Sequence, residues 1–222
     1  TLSDTLEAQQ IAKVVEDTFY NIVSTRDIPE HHSLIKLTAL SDSTYPTHFI
    51  LPENVKAITD VWYDKSDLGT LEYSEVHWVA PETFLSRTDN RSSGYVSVAD
   101  KSAGTNLRIG TAQMPTFYTS FDDEHIVMDS YDSSIDSTLQ SAKIRAMGDT
   151  IPVFSQTDTY VPDLDATMFP YLIAESKSVC FSLFKGGPDP KIDQAARRQK
   201  AYVQNDMYRN KMENKRPKYG RR

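Results

Sequence analysis

Residues 168–184 read Met-Phe-Pro-Tyr-Leu-Ile-Ala-Glu-Ser-Lys-Ser-Val-Cys-Phe-Ser-Leu-Phe, and this stretch decides the predicted fold. Its apolar and small residues recur at three- and four-residue steps, which is the spacing of one face of an α-helix. That face consists of Phe169, Leu172, Ile173, Ser176, Cys180, Leu183 and Phe184. The sequence therefore predicts a helix whose stripe is buried in the core of its own subunit.

A second helix is predicted directly after the first. Gly186-Gly187-Pro188 ends the first helix, because glycine accepts the left-handed cap conformation and proline cannot continue a helix. Asp189 then offers an N-cap oxygen, and Pro190 suits the first helical turn. The second helix, over residues 191–211, has only a thin apolar stripe among basic residues: Ile192, Ala195, Ala196, Tyr202, Val203, Met207 and Tyr208. One subunit gives this helix little to bury, so it is predicted to be half of an interface with a neighbour.

The net charge of -7 is distributed unevenly along the chain. Residues 191–222 contain 11 Lys and Arg against three Asp and Glu, a net charge of +8, whereas residues 1–190 contain 13 against 28, a net charge of -15. This asymmetry predicts that the basic end contacts something acidic: nucleic acid, a membrane, or the acidic body of a neighbouring copy. A simply solvated basic end is the alternative.

The composition is that of a folded protein, with 39% hydrophobic and 25% charged residues. No run of 18 apolar residues is present, and the first residues lack a basic and apolar leader. Neither a membrane span nor a signal peptide is therefore expected. Cys180 is the single cysteine, and we expect it to be a small core residue and not a catalytic thiol.

The rest of the chain predicts N-terminal helices followed by strands. An apolar stripe from Leu6 to Val23 predicts a helix capped by Ser3, and residues 30–40 predict a shorter helix. Alternating segments predict strands at residues 48–52, 55–63, 73–79, 95–99, 106–111, 116–121 and 125–128, with a short helix at 80–87. On the second of these strands, one face is predicted to carry Val55, Ala57, Thr59, Val61 and Tyr63. Residues 136–147 are ambiguous between a strand and a short helix.

Together these elements predict an α+β fold: a helical bundle made by both chain ends, an inserted antiparallel β domain, and an extended basic C-terminal arm. The predicted boundaries are 1–44 for the N-terminal helices, 45–157 for the β domain, 158–211 for the C-terminal helical hairpin and 212–222 for the basic tail. The tail is expected to become ordered only against a partner, because it has almost nothing to bury.

The sequence lacks the motifs of catalysis and of cofactor or metal binding. His31-His32 has poor metal geometry, because adjacent side chains point to different sides of a helix or strand. Asp122-Asp123-Glu124 is predicted to be a hairpin turn, since it lacks the alternation with glycine of a cation-binding loop. Glycine-rich phosphate loops, nucleophile elbows and Cys-x-x-Cys pairs are absent from the sequence. We therefore expect no catalytic residue, no cofactor and no metal.

Partner binding is assigned to basic and aromatic residues of the second helix and the tail. These are Arg197, Arg198, Tyr202, Met207, Tyr208, Arg209, Lys215, Arg216, Lys218, Tyr219, Arg221 and Arg222. Some of these side chains could also hold phosphates and stack on bases. Dedicated nucleic-acid recognition is nevertheless disfavoured, because the rest of the chain is acidic.

Four segments together are typical of one protein family. They are an N-terminal helix ending before Arg26-Asp27-Ile28-Pro29, the segment Ile-Leu-Pro-Glu-Asn-Val at 50–55, the segment from Pro115 to Asp129, and Phe-Pro-Tyr-Leu-Ile-Ala-Glu at 169–175. In this layout the chain resembles the head-to-tail adaptor proteins of short-tailed bacteriophages, often named tail tubular protein A. The resemblance covers nearly the whole chain as a pattern, and no single motif is a signature.

The resemblance implies a structural virion protein without catalytic activity. Such adaptors form a dodecameric ring that joins the portal protein to the tail nozzle protein and lines the channel through which DNA leaves. The expected partners are therefore further copies, the portal protein, the tail nozzle protein and, transiently and without specificity, the exiting DNA, with no membrane partner. The expected location is the tail or neck of the virion, after assembly in the host cytoplasm.

In this picture, residues 192–222 would be an arm that reaches a neighbouring adaptor or the portal. The end of this chain is longer and more basic than the resemblance leads one to expect, which leaves the partner of the arm open. Two other functions also remain open. One is a cell-wall-degrading tail enzyme that uses Asp122, Asp123 and Glu124, since glycan hydrolysis generally needs two carboxylates. The other is a DNA-binding module that uses the basic end.

Overall fold

The computed structural model describes residues 5–26, 28–66, 70–187 and 189–212, with side chains described as far as Tyr208. The chain divides into two compact units. Thr1–His31 and Ile151–Arg222 form the first, which we call the helical unit. His32–Thr150 forms the second, which we call the β unit.

The described residues form four α-helices and ten strands. The helices are α1 (Leu6–Thr25), α2 (Pro81–Asp89), α3 (Phe169–Phe184) and α4 (Pro190–Met212). The strands are β1 (His32–Ile35), β2 (Thr38–Ala39), β3 (His48–Ile50), β4 (Val55–Asp64), β5 (Tyr73–Trp78), β6 (Tyr95–Ala99), β7 (Asn106–Gly110), β8 (Phe117–Ser120), β9 (His125–Met128) and β10 (Ile144–Thr150). Within the described ranges, none of the helices is long and apolar enough to cross a membrane.

The helical unit is built from α1, α3 and α4. The N-cap of α1 is Thr5, whose hydroxyl accepts a hydrogen bond from the Ala8 amide at 3.1 Å, so the predicted cap at Ser3 is wrong. The core of the unit joins the C-terminal half of α1 to the start of α3 and to α4. It consists of Phe19, Ile22, Val23, Ile28, Leu164, Met168, Tyr171, Leu172 and Val203.

The turn between α3 and α4 forms as predicted. Helix α3 ends at Phe184, and Gly186 follows with φ of 75°, a conformation that glycine adopts without steric cost. The Asp189 carboxylate then accepts a hydrogen bond from the Lys191 amide at 2.8 Å. Because the stop and the start signals are separated by so few residues, the two helices form a tight hairpin.

The β unit contains an eight-stranded sheet in the order β1-β10-β4-β5-β8-β9-β3-β2. Its edge strands, β1 and β2, are consecutive in the chain and separated only by Lys36 and Leu37, so the sheet is curled. The pairing of β5 with β8 is parallel, whereas the other pairings are antiparallel. At one edge, the first strand of the unit pairs with its last, with His32 opposite Asp149.

Every strand of this sheet contributes to one core. The buried residues are Ile35, Leu37, Ala39, Phe49, Val61, Tyr63, Val76, Tyr118, Ile126, Met128, Leu139, Ile144 and Ala146. A second core lies on the opposite face of β9, where the β6-β7 hairpin and α2 pack. It consists of Phe84, Val98, Leu107, Ile109 and Val127. The sheet is therefore covered on both faces in this region.

The predicted fold class, a helical bundle with an inserted antiparallel β domain, is wrong. The largest feature of the fold is the curled eight-stranded sheet, accompanied by a separate two-stranded sheet, β6-β7. The main sheet is also mixed, because β5 and β8 run parallel. The predicted basic tail, residues 212–222, lies outside the described residues apart from Met212, the last residue of α4.

The short helix predicted at residues 30–40 is also wrong. After a 3-10 turn at Pro29–His31, this segment forms β1 and β2. Ile35, Leu37 and Ala39 are buried in alternation with exposed Lys36 and Thr38, which is the two-residue period of a strand. The β unit accordingly begins at His32 and ends at Thr150, whereas residues 45 and 157 were expected.

The remaining differences concern β10 and β4. The ambiguous segment 136–147 contains the start of β10, which pairs with both β1 and β4. In β4, Met147 lies opposite Asp60 and Gly148 lies opposite Ile58, so Thr59 is a bulge residue. The bulge shifts the alternation, because one extra residue changes which side chains face the core. Thr59 and Ala57 are therefore exposed, although Val61 and Tyr63 are buried as predicted.

Candidate functional site

The α3–α4 hairpin presents an apolar surface to solvent. In α3, Tyr171, Leu172 and Ser176 are buried, and all three lie in its N-terminal half. Farther along, the apolar side chains are uncovered: Leu183 is 62% exposed and Phe184 is 42% exposed. The prediction that the whole α3 stripe belongs to the core is therefore wrong, because the stripe extends beyond the helices that cover its start.

Helix α4 buries part of its thin stripe against its own subunit. Ala196 and Val203 are buried, and Ser178 of α3 donates a hydrogen bond to the Asp193 carboxylate of α4. The predicted partner-binding residues Arg197, Arg198, Tyr202 and Tyr208 are exposed. Met207, predicted with them, instead packs partly buried against the helical core. The exposed face of α4 is therefore basic and aromatic, while the part of its apolar stripe at Ala196 and Val203 is covered.

The other predicted partner-binding residues cannot be placed with their side chains. Arg209 belongs to α4, but its side chain lies outside the described residues. Outside the described part of the chain lie Lys215, Arg216, Lys218, Tyr219, Arg221 and Arg222.

A cleft of about 380 Å³ lies between α1, α3 and α4. Its walls include Arg26, whose guanidinium lies 4.6 Å from the centre of the Tyr171 ring, together with Glu175 and Lys200. Burial raises the pKa of the Tyr171 hydroxyl, so this group stays protonated at neutral pH. The cleft thus combines a neutral phenol with charges of both signs.

Cys180 is only partly buried, on the side of α3 where the apolar surface begins. Burial raises the pKa of its thiol, which keeps it protonated at neutral pH. Because the thiolate is the reactive form of cysteine, this environment suits a packing role and not a nucleophile.

In the β unit, a buried carboxylate joins α2, β7 and β8. Asp129 is 1% exposed and accepts hydrogen bonds from the amides of Thr116 and Phe117 at 2.9 and 3.0 Å. It also forms an ion pair with Arg91 at 2.7 Å. The Arg91 guanidinium further donates to the Arg108 carbonyl at 3.1 Å. Sequence analysis missed this pair, because the two residues are 38 positions apart and no local pattern links them.

The predicted acidic turn at Asp122-Asp123-Glu124 does connect β8 to β9 in a hairpin. The Asp122 carboxylate accepts hydrogen bonds from the amides of Glu124 and His125 and from Nδ1 of His125 at 2.7 Å. On its other side, Nε2 of His125 lies 3.2 Å from Nζ of Lys101. These contacts link the side chains of Lys101, His125 and Asp122 to one another.

Possible ligand atoms of Asp122, Glu124 and His125 lie within 4.8 Å of one another, close enough to share a cation. The backbone bonds and the histidine pairing already account for the position of Asp122, however. Nζ of Lys101 also lies close to Nε2, the other ring nitrogen of His125. We therefore interpret the cluster as a turn-stabilising network.

The His31-His32 pair is divided between two structural contacts. Nε2 of buried His31 lies 2.8 Å from the Asp163 carbonyl within the helical unit. Nδ1 of exposed His32 lies 3.0 Å from the Asp149 carboxylate within the β unit. Each histidine thus has a local partner in its own unit.

His48 is a buried titratable group of the β unit. Its ring is 1% exposed, and both ring nitrogens lack a hydrogen-bond partner among the described residues. Burial lowers the pKa of His48 to about 4, although the nearby carboxylate of Asp100 acts in the opposite direction. His48 is therefore neutral in the folded protein at pH 7.

We predict that acid destabilises the β unit through His48. The pKa of a histidine is about 6.5 in the unfolded chain but about 4 here, so the unfolded state binds the proton more readily. The stabilisation is complete above pH 6.5 and is lost as the pH falls from 6.5 to 4, by about 3 kcal/mol. Urea unfolding at a series of pH values, followed by tryptophan fluorescence, measures the slope of the unfolding free energy against pH.

His48→Gln should remove most of this slope, because glutamine does not titrate. The matched control is His77→Gln, since the His77 side chain is 63% exposed and its loss should leave the slope unchanged. An unaltered acid slope in His48→Gln would show that another group causes it.

In comparisons with known proteins, no protein-family model matches the chain, and no curated protein matches it. The site must therefore be interpreted from its own geometry. The feature that distinguishes it is the uncovered apolar end of α3 beside the exposed basic residues of α4.

Proposed function

We propose that this chain is a structural subunit of a bacteriophage virion. In this proposal it is a head-to-tail adaptor that forms a ring between the portal protein and the tail nozzle protein, around the channel through which DNA leaves. The proposal is supported by one observation above all: the exposed apolar side chains of α3, which a soluble monomer would leave in water.

The occupant we propose for this surface is a second copy of the chain. Charge supports a copy as the partner, because the exposed face of α4 is basic and the β unit is acidic. Residues 32–150 contain nine Lys and Arg against 17 Asp and Glu, a net charge of -8. A contact that joins different surfaces of neighbouring copies is heterologous, and such contacts produce rings when the rotation closes.

The first test is the assembly state of the purified chain. Mass photometry should show a large species, about 300 kDa if twelve chains of 25.1 kDa assemble. Leu183→Asp should reduce this species at least tenfold, because burying an unpaired carboxylate in an apolar contact costs several kcal/mol. The assembly should also weaken with salt, since exposed charges are screened over about 8 Å at physiological ionic strength.

The matched control is Leu6→Asp, a leucine that is 72% exposed but lies at the start of α1, outside α3, α4 and the β unit. It should leave the assembly intact, and circular dichroism should show that both variants remain folded. A monomer in the unmodified chain, both alone and mixed with a portal protein, would refute the adaptor proposal. Equal loss of assembly in both variants would show that the contact does not depend on α3.

The geometry of the acidic turn gives less support to the alternative function, a cell-wall-degrading tail enzyme. Its candidate acids lie in the β8–β9 turn, where Asp122 is occupied by two backbone amides and His125. Asp123 has φ of 60°, a left-handed conformation typical of a turn residue. These contacts give the acids a role in shaping the hairpin. The DNA-binding alternative draws on the same basic face of α4, and a gel shift at low salt tests it separately.

A further inference from the structure

A second cavity lies in the β unit, beside the Asp129–Arg91 ion pair. Its volume is about 280 Å³, which is enough for one small organic group. Val79, Phe84 and Phe117 give it apolar walls, while Arg87 and Gln113 stand among its polar lining groups. Pockets of this composition bind ligands whose body is apolar and whose polar end is fixed by a few groups.

Among the described residues, the exposed guanidinium of Arg87 has no hydrogen-bond or ion-pair partner. Its guanidinium carbon lies 4.3 Å from the centre of the Phe117 ring, and this contact with a ring face uses none of its N–H donors. The neighbouring Arg91 is occupied by Asp129 and by two backbone carbonyls. The ring therefore holds Arg87 in place without neutralising it.

We propose that this pocket binds a single carboxylate carried on a short apolar stem. The planar fork of a guanidinium matches the two oxygens of a carboxylate, and the apolar walls can receive the stem of the ligand. The net charge of the β unit, -8, opposes a polyanion such as nucleic acid, but a monoanion with an apolar stem loses less to this repulsion. Carboxylate binding here does not require the proposed ring contact, because residues of a single chain line the pocket.

A glutamate side chain of a partner protein and a free small organic acid share this chemistry. The probe is 4,4,4-trifluorobutyrate, observed by fluorine NMR in the presence of the full chain, with the corresponding amide as the neutral comparison. We expect the acid to bind at least tenfold more tightly than the amide, since only the acid forms a charge-assisted pair with Arg87.

The decisive variant is Arg87→Gln, which should weaken binding of the acid about tenfold and leave the amide unchanged. Its matched control is Arg145→Gln, because Arg145 also lies over an aromatic ring, at 3.9 Å from the centre of Tyr73, but does not line the pocket. Arg145→Gln should bind the acid as the unmodified chain does. Thermal unfolding of both variants checks that each is folded.

Competition experiments separate the possible ligands. A short capped peptide with a single glutamate that displaces the probe more strongly than acetate or butyrate indicates a protein partner, whereas the reverse indicates a free acid, and both results support the carboxylate site. Inorganic phosphate that displaces the probe better than acetate would overturn the proposal. Equal affinity for the acid and the amide, or unchanged affinity in Arg87→Gln, would also overturn it.

Discussion

Replacing Asp129 with alanine is expected to destabilise the β unit by about 4 kcal/mol, because it leaves the partly buried Arg91 guanidinium without its counter-charge. The change also removes the acceptor for the amides of Thr116 and Phe117, at the start of β8. Both tryptophans, Trp62 and Trp78, belong to the β unit. Their fluorescence during urea unfolding therefore reports on this unit alone.

Two controls sharpen the test of the ion pair. Asp89→Ala removes an exposed carboxylate at the end of α2 and should change stability by no more than about 0.5 kcal/mol. In the double variant with Arg91→Met, the cost should be clearly smaller than the sum of the two single changes, because neither charge is left unpaired. A strictly additive double variant would contradict the proposed coupling between Asp129 and Arg91.

Gly148→Ala is expected to cost about 3 kcal/mol or more, as overpacking in a closely packed interior does. Gly148 lies in strand β10, which is paired on both sides by β1 and β4, next to the bulge at Thr59. A Cβ atom at this position would lie 2.2 Å from the Ala57 carbonyl oxygen and 2.6 Å from Cδ1 of Ile35. The backbone oxygen cannot rotate away as a side chain can, so the strands themselves must separate.

A second glycine variant separates the steric clash at Gly148 from the general effect of replacing a glycine. Gly104→Ala meets no atom within 4 Å but has φ of 67°, so it should cost only about 1 kcal/mol through backbone strain. Adding Ile35→Val to Gly148→Ala should not restore stability, because the clash with the carbonyl oxygen remains. Restoration by Ile35→Val would instead identify the side chain as the obstacle.

The parts of the fold that were predicted correctly depend on residues close together in sequence. The α3–α4 turn is determined by Gly186, Asp189 and Pro190, whose conformational preferences act within a few residues. The strands β3 to β9 likewise have local alternation and local turns. Such signals survive in a sequence without knowledge of what the element packs against.

The errors arise where distant residues decide the outcome. Residues 30–40 fit both a helical and an alternating pattern, and the pairing of β1 with β10, more than 100 residues away, selects the strand. The parallel contact of β5 with β8 and the bulge at Thr59 are equally non-local. Together these pairings produce the curled sheet, which no local period indicates.

In the candidate sites, too, the features that depend on the local sequence were predicted and those that depend on distant residues were missed. Charge counting identified the basic face of α4, because charge is a property of the sequence alone. Periodicity could not show that the far end of α3 stays uncovered, since an apolar stripe does not specify how much of it a neighbouring helix reaches. The pocket at Arg87 was missed for a related reason: its lining residues are spread from Val79 to Asp129 and meet only after folding.

The pairing of His32 with Asp149 has a consequence for how the protein can change over time. The chain enters and leaves the β unit on two neighbouring strands, so the entry and exit points are separated by about 5 Å. The β unit is therefore inserted into the helical unit through closely spaced ends. A different domain with similarly spaced ends could replace it without longer connecting segments in the helical unit. During evolution, the surface residues of one unit can then change while the core packing of the other unit is retained.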